Sequence, residues 1–229
     1  MTLPDMNSRV LSPSCRLVRV SLALILATAA TGRGAQAQAW SYPSFQPPDL
    51  TVREYNFGVA DAGNPGTTLV FQWREQSGPR HQISFDLGLA DPDAGNADLV
   101  VFGGAGLAWH VGDATQEVPL DFLLTTGAYI ALGNRTRFRL PVGLSIGKRF
   151  DLEGNMALTP YMHPRLSLDF CNNCGGSDLG VSFDLGGDLE LSRSISIRVS
   201  ALFAGTERFG GEGFGVSIAW TPPALAGRG

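Results

Sequence analysis

The chain is short of charge, and of lysine above all. Only 17% of its 229 residues are charged, and Lys148 is its one lysine beside sixteen arginines. Cations this few and this scattered exclude a nucleic-acid surface. Histidine is limited to His81, His110 and His163, and cysteine to Cys15, Cys171 and Cys174. Cys171-Asn-Asn-Cys174 has the spacing of half a zinc site, but no second pair completes it. No segment carries a convincing helical period. The apolar run Val20 to Ala30 is too short to cross a bilayer as a helix.

That run follows Arg9, Arg16 and Arg19 and precedes Ala35-Gln36-Ala37 and Ala37-Gln38-Ala39, two small-x-small sites. Residues 1–37 therefore read as a cleaved signal peptide, with cleavage after Ala39 as the variant. A retained anchor is the alternative that the length disfavours. Cys15 leaves with the peptide. Cys171 and Cys174 then remain as a pair in an exported chain, which reads as a disulfide.

What the chain has in quantity is glycine, 29 residues of it, and strict alternation. From Thr136 to Phe150 the apolar residues are Phe138, Leu140, Val142, Leu144 and Ile146, against Arg137, Arg139, Gly143, Ser145 and Gly147. Asn155 to Phe170 and Asp178 to Leu191 repeat the pattern. A period of two is the strand signature, because successive side chains point to opposite faces. Further alternating stretches are 52–60, 67–74, 82–90, 99–111, 118–132, 195–203 and 214–220. Turn formers such as Asp61-Ala-Gly-Asn-Pro-Gly66 separate them. The count is about ten strands, each near the length of a tilted transmembrane strand. Eight strands, with the first two misassigned, is the runner-up. Residues 38–50, with Pro43, Pro47 and Pro48, read as an extended linker, 51–220 as the barrel, and 221–229 as a tail.

The two faces differ in kind. One is apolar and almost free of charge along its length, as hydrocarbon requires. The other is mostly Gly, Ser, Thr and Ala with a few charges, which suits a narrow lumen better than a solvated exterior. If the first strand rises from the periplasm, Trp73, Trp109, Phe150 and Trp220 gather at the lower end. Phe138, Phe170, Phe203 and Phe214 gather at the upper one. Two aromatic girdles follow from that one orientation. The expected fold is a closed antiparallel up-and-down transmembrane β-barrel.

These strands, the signal peptide and the segment Arg139-Leu-Pro-Val-Gly-Leu-Ser-Ile-Gly-Lys-Arg-Phe150 resemble the small bacterial outer-membrane barrels, a group that includes OmpA, OmpX and the opacity proteins. Phe214-Gly-Val-Ser-Ile-Ala-Trp220 is similar to that family's C-terminal assembly signal, although Thr221 to Gly229 follow it. The resemblance implies an outer-membrane location in a Gram-negative-type cell, outer-membrane lipids as neighbours, and the barrel-assembly machinery as a partner through 214–220. The family is functionally diverse, so activity does not follow from it.

No catalytic set, metal site or cofactor site emerges. His163 and Ser167 share a face but lie roughly 13 Å apart along a strand, too far for a nucleophile and its base. The inward charges instead form a network of Arg137, Arg139, Arg165, Asp184, Asp188 and Arg198. Hairpin registers would set Asp188 opposite Arg198, Arg165 opposite Asp184, and Tyr129 beside Arg139. The sequence thus leads to a monomeric, non-enzymatic barrel with a structural or surface-interaction role, plugged by its own side chains. A passive small-solute pore and a membrane-embedded lipid- or peptide-processing enzyme are the alternatives.

Overall fold

A computed structural model describes residues 42–61, 66–91, 99–133, 135–172, 176–205 and 211–223. The signal peptide and its cleavage sites, Cys174, and residues 224–229 of the tail lie outside these described residues.

The alternating stretches become β1 (Arg53–Asp61), β2 (Thr67–Gly78), β3 (His81–Asp91), β4 (Val100–Gly112), β5 (Asp121–Leu132) and β6 (Arg137–Gly147). They continue as β7 (Phe150–Asp151), β8 (Ala157–Cys171), β9 (Gly176–Ser192), β10 (Ile195–Gly205) and β11 (Gly211–Trp220). Every pairing is antiparallel, and the sheet closes because β6 pairs with β8 and β1 pairs with β11. The two residues of β7 continue the β6 side of the seam against β8. The molecule is therefore a closed ten-stranded barrel. The eight-strand alternative falls, since β1 and β2 are full members of the wall and β1 closes onto β11.

The faces are inverted relative to a soluble protein. Phe57, Leu87, Leu179 and Ile218 point outward with more than half of their surface exposed, while Asn56, Gln72, Asp184 and Arg198 are buried inside. Such an apolar exterior would be costly in water at about 25 cal/mol per Å². In hydrocarbon it is the favourable surface, and closure pairs the first strand with the last. This is the architecture of an outer-membrane β-barrel.

Trp73, Trp109 and Trp220 lie in the strand ends nearest the start of β1, and Phe150 lies in β7. Register joins two of them through Tyr55, which faces Trp73 on one side and Trp220 on the other. Phe138 and Phe170 meet across the β6–β8 seam near the opposite end. That same seam skips Leu144 and Ser145, which lie opposite Pro164 and His163. A proline has no N–H to give to the ladder, so the gap falls where the donor is missing.

Candidate functional site

The lumen is the candidate site, and what fills it is a stretch of backbone. Residues 42–50 do not trail outside as a linker. They run within the barrel from the upper lumen to the lower mouth, where Thr51 N donates to Gln82 Oε1 at 3.1 Å and β1 begins. Pro43, Phe45, Gln46, Pro47 and Pro48 are all buried. Three prolines keep the segment from forming a helix or a ladder, so the wall must satisfy its backbone groups with side chains.

The wall does so residue by residue. At the upper end Tyr42 stacks on Phe102 with centroids 4.9 Å apart, and its hydroxyl donates to Asp86 at 2.8 Å. Ser44 N donates to Asp184 at 2.9 Å, and the Ser44 carbonyl accepts from Gln72 at 3.2 Å and Arg74 at 2.8 Å. The Phe45 carbonyl accepts from Arg74 at 2.8 Å and Arg198 at 3.4 Å, and the Gln46 carbonyl accepts from Ser145 at 2.6 Å. Phe45 holds a left-handed φ of 48°. That conformation costs a non-glycine residue about 1–2 kcal/mol, and the two arginine bonds offset it.

The Phe45 ring sits on the seam between the first and last strands. A Cβ on Gly58 of β1 would lie 2.9 Å from the ring, and one on Gly215 of β11 would lie 2.6 Å from it. Both distances are shorter than van der Waals contact allows. The two glycines are the space that the ring occupies.

Around this socket the buried charges are matched. Arg198 grips Glu54 with both terminal nitrogens at 2.6 Å and reaches Asp188 at 3.1 Å. Arg74 reaches Glu54 at 3.3 Å. Arg165 pairs with Asp184 at 2.8 Å, and Arg139 pairs with Asp169 at 2.7 and 3.0 Å. Arg198 stands directly opposite Asp188, and Tyr129 opposite Arg139. Arg165 faces Ser182 and meets Asp184 on the diagonal, because His163 takes the place opposite Asp184. Arg137 is buried at the upper end, opposite Cys171, which is disulfide-bonded.

Ser44, His163 and Asp184 come together, in an arrangement that differs from that of a nucleophilic triad. Ser44 Oγ donates to Asp184 at 2.5 Å and lies 2.8 Å from His163 Nδ1. His163 Nε2 is 2.8 Å from Thr125 Oγ1. In a triad the carboxylate orients one ring nitrogen and the nucleophile meets the other. Here serine and aspartate both lie on the same nitrogen, with Asp184 at 3.9 Å from it, and the serine hydroxyl donates to the carboxylate. The adjoining cavity has a volume of about 70 Å³. His163→Ala should cost about 1–3 kcal/mol by leaving the Ser44 and Thr125 hydroxyls short of a partner. Neither wild type nor variant should hydrolyse a lipid or peptide panel. Hydrolysis by wild type that is lost in the variant would restore the enzyme reading.

At the lower mouth Asp49 faces a larger cavity of about 330 Å³ with Arg149, Asp188 and Glu190. Arg149 is hydrogen-bonded to Glu190. Burial first, then the neighbouring charge of Asp121, Glu190 and Asp188, pushes the Asp49 carboxyl up from 3.8 to about 6, against the pull of Arg149. A folded-state value above the unfolded one means that the contribution is complete below pH ~4. It is lost as pH rises through about 6. The thermal midpoint of the folded band on unheated gels should therefore fall between pH 4 and pH 7. Asp49→Asn should flatten that dependence, and an unchanged slope in the variant would assign the effect elsewhere.

No protein-family model matches the chain, and no curated protein matches it. Similar solved structures include the β domain of the Bordetella autotransporter BrkA, at 14% identity over 74% of this chain and 98% of that one, with a TM-score of 0.42. The KdgM porin follows at 7% identity, with 74% and 99% covered and a TM-score of 0.39. The translocator domain of the autotransporter NalP from Neisseria meningitidis is 12% identical, with 94% and 100% covered and a TM-score of 0.38.

The luminal segment escaped the sequence reading because prolines at 43, 47 and 48 look alike in a linker and in a plug. The available signal lay in the wall. Gly58 and Gly215 both occupy inward positions near mid-strand, and such gaps in a narrow barrel need something to fill them.

Proposed function

We propose that the chain is a non-enzymatic outer-membrane barrel with a structural or surface-interaction role, its lumen closed from within. The observation that supports closure is the passage of Tyr42 to Thr51 through the lumen, with Phe45 fully buried on the closing seam. Ten strands enclose a narrow interior, far from the 16–18 that leave an aqueous channel. Matched pairs such as Arg198–Glu54 and Arg139–Asp169 occupy what remains. The apolar exterior fits outer-membrane lipid, and residues 1–37 fit export into that compartment. Phe214–Trp220, within β11, is the element offered to the barrel-assembly machinery, and the working form is a monomer.

The test is fractionation. The protein should sediment with outer membranes, need detergent for extraction, and run faster on gels before heating than after. A chain that stays soluble in the periplasm would end this reading.

A passive small-solute pore is the second reading, favoured by the cavity of about 330 Å³ open at the lower mouth. It requires the segment to leave a continuous path beside it.

A further inference from the structure

We propose that the inner wall is a binding site for an extended peptide, separable from the segment that fills it. The barrel wall would take a free nonapeptide of sequence Tyr-Pro-Ser-Phe-Gln-Pro-Pro-Asp-Leu, residues 42–50, into its lumen. The proposal rests on the closed-lumen reading and adds the chemistry of the occupant.

Three observations carry it. The wall reads backbone: the carbonyls of residues 44, 45 and 46 each accept from a wall side chain, and the amide of residue 44 has its own acceptor in Asp184. Guanidinium and amide donors of this kind recognise any extended chain. The wall also reads shape. Phe45 fills the Gly58–Gly215 socket, and a Cβ on Gly215 would also meet Pro43 at 3.2 Å, while one on Gly147 would meet Pro48 at 3.1 Å. Finally, the segment belongs to no strand, and side chains make the contacts that hold it inside. A wall built this way does not require that its occupant belong to the same chain.

The ligand class is an extended peptide with an aromatic residue flanked by prolines two places before and two and three places after. It carries no charge over its first seven residues. The resident segment has the advantage of its tether, which sets an effective concentration in the millimolar range for a short flexible link. It therefore holds the site against free competitors in the wild type.

The test uses two proteins and a fluorescein-labelled nonapeptide in detergent. The first is the mature chain lacking residues 38–50, and the second is the full-length chain carrying Phe45→Ala, whose resident segment has lost its anchor. Either folded protein should bind the peptide saturably. Affinity should fall at least tenfold for a scrambled peptide and for the peptide carrying Phe45→Ala. If the shortened chain does not fold, the full-length variant decides alone. No saturable binding by any folded protein, or equal binding of the scrambled peptide, would overturn the proposal. A non-conducting wild type, together with no peptide uptake by either altered protein, would leave closure standing and remove only the separable site, whereas a conducting wild type would remove both.

Discussion

Arg198→Ala should lower the stability of the folded barrel by about 3–5 kcal/mol, the cost of leaving a buried carboxylate without its partner. Arg198 is 2% exposed and bonds Glu54 through both of its terminal nitrogens, which joins β10 to β1 across the closing seam. Its loss strands Glu54 with only the longer Arg74 contact at 3.3 Å, and frees Asp188 as well. The control is Arg80→Ala. Arg80 and Asp113 form an exposed pair, each with 61% of its side chain in solvent, and such pairs contribute about 0–1 kcal/mol. Urea or thermal titration of the folded gel band measures both. Equal effects of the two substitutions would show that the luminal charges are hydrated and not part of a packed interior.

Phe45→Ala should cost a similar amount, about 3–5 kcal/mol, by emptying a fully buried aromatic site. The walls of the socket are strands, which cannot collapse inward without breaking the β1–β11 register of Gly58 with Ser217 and Ala60 with Gly215. The cavity should therefore persist. Phe45 and Arg198 also share a bond, since the Phe45 carbonyl accepts from that arginine at 3.4 Å. The double variant should lose less than the sum of the singles, because neighbours in one network do not add. Strict additivity within about 0.5 kcal/mol would mean that segment and seam are independent.

The barrel itself was legible because alternation is a property of neighbouring residues. Leu140, Val142, Leu144 and Ile146 against Arg139, Gly143 and Ser145 define a strand and both of its faces with no knowledge of the partner strand. The tight turn near Arg193 fixed the Arg198–Asp188 register for the same reason. Longer connections fixed less. The hairpin through Cys171 placed Arg165 opposite Asp184, whereas the two sit two residues apart and meet on the diagonal. The luminal segment was not legible. Its contacts join residue 44 to residues 72, 74, 163 and 184, and residue 46 to 145, with no local periodicity to announce them. A buried irregular chain is recognised only when the groups that satisfy its backbone are known, and those groups come from strands distant in the sequence.

The central claim, a lumen closed by the chain's own N-terminal segment, is tested most directly by single-channel recording of the wild-type protein in planar bilayers. The account predicts a silent membrane after verified insertion. Steady, long-lived openings of uniform conductance would contradict it.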